Sequence, residues 1–149
     1  ALYYMQGLNT TAVHAHGALF GVYGMLGIGL TLMCLRALMA DQEWKEGLLK
    51  FSFWSMNIGL LLMMLLSLLP VGLLQTWASV QNGYWYARSP EFMGTGLMTT
   101  LRWLRVPGDT LFAIGAIAFV LFIFGLKFGY FVKPTMESQE ALASAKAAD

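Results

Sequence analysis

Asn9-Thr10-Thr11-Ala12-Val13-His14-Ala15-His16-Gly17-Ala18-Leu19-Phe20-Gly21-Val22-Tyr23-Gly24 lies in a run that carries no Lys, Arg, Asp or Glu from Ala1 to Leu35. The run exceeds the roughly 20 apolar residues a helix needs to cross a bilayer core. It also contains His14 and His16, the only two histidines of the chain. Ionisable rings at membrane depth are costly and mark functional sites. If Thr11 to Leu38 form one helix, residues two apart are rotated by about 200°, so the two rings leave opposite sides of the rod. They cannot share one metal. The spacing suits two separate irons on either side of a common helix, about 15 Å apart once both side chains extend from its axis.

The surrounding composition fits a membrane. Of 149 residues, 58% are hydrophobic and 11% charged, and the charges crowd into three short zones. This is the signature of an integral membrane protein, all-α, with three transmembrane helices at about 11–38, 48–77 and 107–131. An outer-side connection with a short helix covers 78–106, and a polar, alanine-rich tail covers 136–149. The first span is too long for a signal peptide and lacks a basic n-region and an A-x-A site. The sequence begins at Ala1 without a methionine, which suits one segment of a longer protein. Arg36, Lys45, Lys50, Lys127, Lys133 and Lys146 flank one side of the spans, against Arg88, Arg102 and Arg105 on the other. The first side is expected to be cytoplasmic, which puts both histidines toward the outer face. A net charge of +1 carries no nucleic-acid signal. Cys34 is the only cysteine, lies within a span and reads as a small apolar residue.

Successive 100° turns put Gly17, Ala18, Gly21 and Met25 below His14, and Phe20, Tyr23 and Gly27 below His16. Small residues on such a flank admit a flat macrocycle or, equally, another helix. Span two is almost all Leu and Met. Pro70 should bend it, and Asn57 and Gln75 are candidates for hydrogen bonds between helices. In the connection, Ser89-Pro90-Glu91 reads as an N-cap followed by proline at the first helical position. Tyr84-Trp85-Tyr86 and Trp103 supply interfacial aromatics. Asp109 is placed to meet the positive end of the third helix's dipole.

A membrane histidine can ligate haem, relay protons, pair with a carboxylate or simply be tolerated. Apart from Asp109 at one end, the spans hold no carboxylate to relay protons. Haem iron takes a proximal histidine, and a second axial ligand when it is low-spin. With no third histidine and no recognisable methionine site, what completes the irons lies mostly outside this sequence. Arg102 and Arg105 lie where haems on His14 and His16 would present their propionates, and arginine pairs bidentately with carboxylates. Anchoring to lipid headgroups is the other reading of both. Arg88 is a further candidate near a haem or quinol.

The stretch Asn9–Gly24 resembles the dihaem-binding helix near the C-terminus of the catalytic subunit of bacterial nitric oxide reductases, in the haem-copper oxidase superfamily. Tyr84-Trp85-Tyr86-Ala87-Arg88-Ser89-Pro90-Glu91 and Leu101-Arg102-Trp103-Leu104-Arg105-Val106-Pro107-Gly108-Asp109 look more like the single-subunit, quinol-dependent branch than the cytochrome c-dependent one. The resemblance runs over almost the whole chain and covers only the last three of that family's many spans. It implies that residues 1–149 are part of a larger catalytic subunit, with His14 on a high-spin b-type haem and His16 on a low-spin one. It further implies reduction of two nitric oxide molecules to nitrous oxide and water with electrons from quinol, beside a non-haem iron ligated by residues outside this chain. The implied setting is a bacterial inner membrane, with the N-terminus of the segment periplasmic and its C-terminus cytoplasmic. The implied partners are the remainder of the subunit, quinol, nitric oxide and the lipid bilayer, with a homo-oligomer left open. Two alternatives stand beside this: a terminal oxidase reducing oxygen with copper beside the haem, and a non-catalytic three-helix structural or assembly protein.

Overall fold

A computed structural model describes residues 2–39 and 42–133. Three helices are long and apolar enough to cross a membrane: span one, Asn9–Leu38; span two, Gly47–Asn82; and span three, Gly96–Lys127. No strand occurs among the described residues, and the only strand-like pairing is an isolated bridge between Trp44 and Val132. The all-α membrane architecture is therefore as expected. The tail over 136–149, with Lys146, lies outside the described residues.

The ends of the spans differ from the hydropathy boundaries for local reasons. Span three stops at Lys127 although Phe128, Tyr130 and Phe131 continue the apolar run, because Gly129 turns the chain back at φ +77°. Only glycine enters that left-handed region without steric cost. At its other end, helix Gly96–Trp103 leads through a turn at Leu104 into helix Arg105–Lys127. Pro107 falls in the first turn of that second helix, where its missing N–H costs nothing. Span two continues to Asn82, where Gly83 at φ +93° ends it. Pro70 does not break this span. Its ring crowds the carbonyl four residues back, and the helix widens to a π-helical turn over Met64–Leu68 just upstream.

Spans two and three pack backbone against backbone. A Cβ at Gly59 would lie 2.5 Å from the Phe112 nitrogen, and one at Gly108 would lie 2.6 Å from the Met63 nitrogen. Gly115, two turns beyond Gly108, would place its Cβ 2.8 Å from Met56. Ser52 Oγ donates to the Gly115 carbonyl at 2.7 Å, which satisfies a buried hydroxyl in the same seam. Asn57, expected to bond across helices, donates instead to the Phe53 carbonyl of its own helix at 2.8 Å. It stands on the side of span two away from the seam and bonds back along the turn, as short polar side chains do.

Span one is held chiefly at its two ends. Near its start, Gly72 of span two brings the backbone of Asn9 and Thr10 so close that a Cβ would sit 2.5 Å from Thr10 N. Gln75 does bond between segments: its Oε1 accepts from Asn9 N at 2.9 Å, and its Nε2 donates to the Ala87 carbonyl at 3.2 Å. At the far end, Arg36 stacks over Trp44 at 5.1 Å, and Trp44 packs edge-on against Phe122. Between these ties none of the most apolar stretch of span one is buried, against 39% in span two and 28% in span three.

Candidate functional site

The helix runs unbroken through both histidines, with Ala15 and His16 in the right-handed helical region. Rings two residues apart on such a helix are turned to different sides. His14 is exposed, whereas His16 is half-buried and turned toward spans two and three.

In a neutral His16 ring, two contacts fix the tautomer. Nδ1 lies 2.8 Å from the Ala12 carbonyl, one turn back. A carbonyl only accepts, so Nδ1 carries the proton and Nε2 keeps its lone pair. The guanidinium of Arg105, which can only donate, meets Nε2 through Nη2 at 3.4 Å and agrees with that tautomer. At this length the contact is weak. A metal at Nε2 would take the same lone pair and replace it.

Nε2 opens on a cleft of about 240 Å³, with walls from Phe20, Leu60, Met63 and Phe112 and a polar rim from Arg105 and Asp109. Phe20 lies below His16 as the periodicity predicts, at 6.3 Å between ring centroids, and meets Phe112 edge-on at 5.3 Å. A lone-pair nitrogen, apolar walls and a cation at the rim match a planar, amphipathic macrocycle with an acidic edge, so the residues present fit a haem. The volume is below the roughly 300–1,000 Å³ of ordinary ligand sites. These residues therefore form one wall of such a site. Among the described residues no three His, Cys, Asp or Glu side chains cluster as a metal site.

Gly17 and Gly21 depart from the expected flank beneath His14. A Cβ at Gly17 would touch Met64 at 3.4 Å and one at Gly21 would touch Leu60 at 3.6 Å, so both face span two. A π-helical segment, His16–Gly24, in which i→i+5 bonding turns each residue through less than 100°, shifts the register progressively, so that it moves Gly21 and scarcely Gly17. Such segments recur at functional sites.

Arg105 and Arg102 part company in the structure. Arg105 Nε donates to both oxygens of Asp109, at 3.0 and 2.8 Å, and its terminal nitrogen reaches His16. Arg102, in the last turn of Gly96–Trp103, is exposed and does not line the His16 cleft. Asp109 thus serves Arg105, one turn back on the same helix, rather than the helix dipole alone. Arg88 stacks on Tyr84 at 5.4 Å and donates to its hydroxyl at 2.9 Å, while that hydroxyl donates to the Gln6 carbonyl at 2.6 Å. Its role in the structure is to brace the connection against the start of the chain. Ser89 caps helix Pro90–Met93 by accepting from Phe92 N at 3.2 Å, as its sequence predicts. Met63 and Phe112 were not singled out by sequence. Their apolar character made them look like packing residues.

Residues 1–111 match the protein family described as Cytochrome C and Quinol oxidase polypeptide I. The matched stretch contains His14, His16, Arg102, Arg105 and Asp109.

Proposed function

Because the chain belongs to the Cytochrome C and Quinol oxidase polypeptide I family, we propose that it is the part of a nitric oxide reductase catalytic subunit that supplies one axial histidine to each of two b-type haems. Membership makes the chain part of a membrane oxidoreductase of the haem-copper oxidase superfamily. The finer assignment is supported by the likeness of Tyr84–Glu91 and Leu101–Asp109 to the quinol-dependent reductases. The observation that carries the ligand role is His16 itself, with Nδ1 committed to Ala12 and Nε2 aimed into an apolar cleft rimmed by Arg105.

In this reading His16 holds the low-spin haem and His14 the high-spin one, which would supply one-electron redox chemistry at these positions. The Ala12 carbonyl fixes the His16 tautomer and so leaves the Nε2 lone pair to a ligand. Phe20, Leu60 and Phe112 exclude water from the ring edge, and Arg105 offers donors to a haem carboxylate. Arg102 is proposed for the same role on the exposed side. Two nitric oxide molecules become nitrous oxide and water with two electrons from quinol and two protons. The non-haem iron and the remaining ligands are supplied by the rest of the subunit. We place it in a bacterial inner membrane with the histidine end periplasmic. Oxygen reduction by a copper-containing oxidase is the competing activity within the same family.

Metal analysis and gas turnover of the complete subunit separate the two. Haem iron with non-haem iron, no copper, and nitrous oxide as product are expected. Stoichiometric copper with oxygen consumption would overturn the nitric oxide assignment and leave the family membership intact.

A further inference from the structure

The most organised polar feature beside either histidine is the Arg105–Asp109 pair. Arginine usually meets a carboxylate through two different nitrogens, in a fork. In this pair both oxygens of Asp109 lie on Nε, at 3.0 and 2.8 Å, and neither terminal nitrogen of Arg105 is hydrogen-bonded to Asp109. One of them reaches His16. With side chains 39% and 42% exposed, the pair adds little net stability. Its geometry, more than its energy, calls for an explanation.

The two partners stand on ground of different firmness. Asp109 follows Gly108, whose backbone is wedged against Met63 of span two, so its turn is held by the close seam between spans two and three. Arg105 opens its helix directly after the turn at Leu104. A long cationic side chain there would by itself snorkel toward the interface. The firmly seated carboxylate instead holds the guanidinium by its inner nitrogen, over the His16 cleft.

We propose that Asp109 is a positioning residue, which fixes Arg105 through Nε so that its terminal nitrogens face the His16 ring edge and the acidic group of the ligand that His16 carries. The proposal rests on the reading that His16 ligates a haem. A guanidinium beside the haem favours the reduced form, because reduction removes positive charge from the iron. Asp109 acting as a bare negative charge would do the reverse, since a carboxylate favours the oxidised form and its loss would raise the potential. Asp109 as a holder of Arg105 has the opposite sign, since its loss releases the cation.

The test is redox titration of the low-spin haem in the complete haem-loaded subunit, with Asp109→Asn, Arg105→Gln, the double variant and His16→Ala. Asp109→Asn and Arg105→Gln should each lower the potential, by up to a tenfold change in the reduction equilibrium, 59 mV for one electron. The double variant should match Arg105→Gln alone, and Asp109→Glu should recover part of the loss. A potential that rises or stays unchanged in Asp109→Asn, or losses that add in the double variant, would overturn the positioning role. If the low-spin spectrum survives His16→Ala, the haem reading itself fails and the proposal falls with it. Loss of that spectrum in His16→Ala beside an unmoved potential in Asp109→Asn rejects the positioning alone.

Discussion

Span one and the pair formed by spans two and three use glycine in opposite ways. Span one has five glycines, at positions 17, 21, 24, 27 and 29, and no buried residue in its most apolar stretch. A Cβ at Gly27 or Gly29 would meet nothing within 4 Å. The pair uses Gly59, Gly108 and Gly115, each of which lets a neighbouring helix approach to where a single methyl group would collide. Glycine content therefore does not mark the tight contact. Its pairing across two helices does. The seam between spans two and three fixes Asp109 and Phe112, and the loosely covered helix carries both histidines.

The largest expected effect breaks the seam. Gly59→Leu or Gly108→Leu must push two backbones apart, and overpacking of that kind costs about 1–3 kcal/mol or more. Thermal unfolding in detergent should show it, whereas Gly27→Ala and Gly29→Ala should stay within about 0.5 kcal/mol. A loss at Gly27 in the complete subunit as large as at Gly59 would show that another surface covers span one there, and would end the contrast. Next comes the tie between the two regions. Gln75→Leu leaves Asn9 N and the Ala87 carbonyl without their partner, a loss of about 1–3 kcal/mol. Hydrogen exchange should rise at the Asn9 amide and stay unchanged across Gly59. Within the seam, Ser52→Ala removes one hydrogen bond to Gly115 and should cost about 1 kcal/mol by the same unfolding measurement.

The smallest effect lies at the Trp44 end. Glu43 Oε2 accepts from Lys133 Nζ at 2.9 Å, and this hydrogen bond and charge hold the Glu43 carboxyl below its usual value. A carboxyl lowered in the folded state stabilises at pH above its unfolded pKa and loses that contribution as pH falls through the folded one. Glu43→Gln should flatten this part of the acid-side stability curve slightly, and added salt should mask the difference.

Much of the fold was legible because lipid imposes a simple rule of length and apolarity, and all three spans obey it. That His14 and His16 face different sides of one helix was legible for a similar reason, since residues two apart are turned by about 200°. The boundaries at Lys127 and Asn82 were missed because hydropathy averages over the single glycines, Gly129 and Gly83, that end those helices. Gly21 was misplaced because no residue pattern announces the π-helical turn that rotates it. Asn57 and Gln75 looked alike in sequence, yet only Gln75 faces a neighbouring segment, a distinction that depends on where the chain returns. The Arg105–Asp109 pair could have been found from its i,i+4 spacing, which places both side chains on one helix face.

The central claim is that His14 and His16 serve two different haems. Optical and electron paramagnetic resonance spectra of the complete subunit, with His14→Ala and His16→Ala compared at equal membrane insertion, test it most directly. His16→Ala should erase the low-spin signal and keep a high-spin iron, and His14→Ala should do the reverse. Equal loss of both signals in both variants, or retention of both in either, would contradict it.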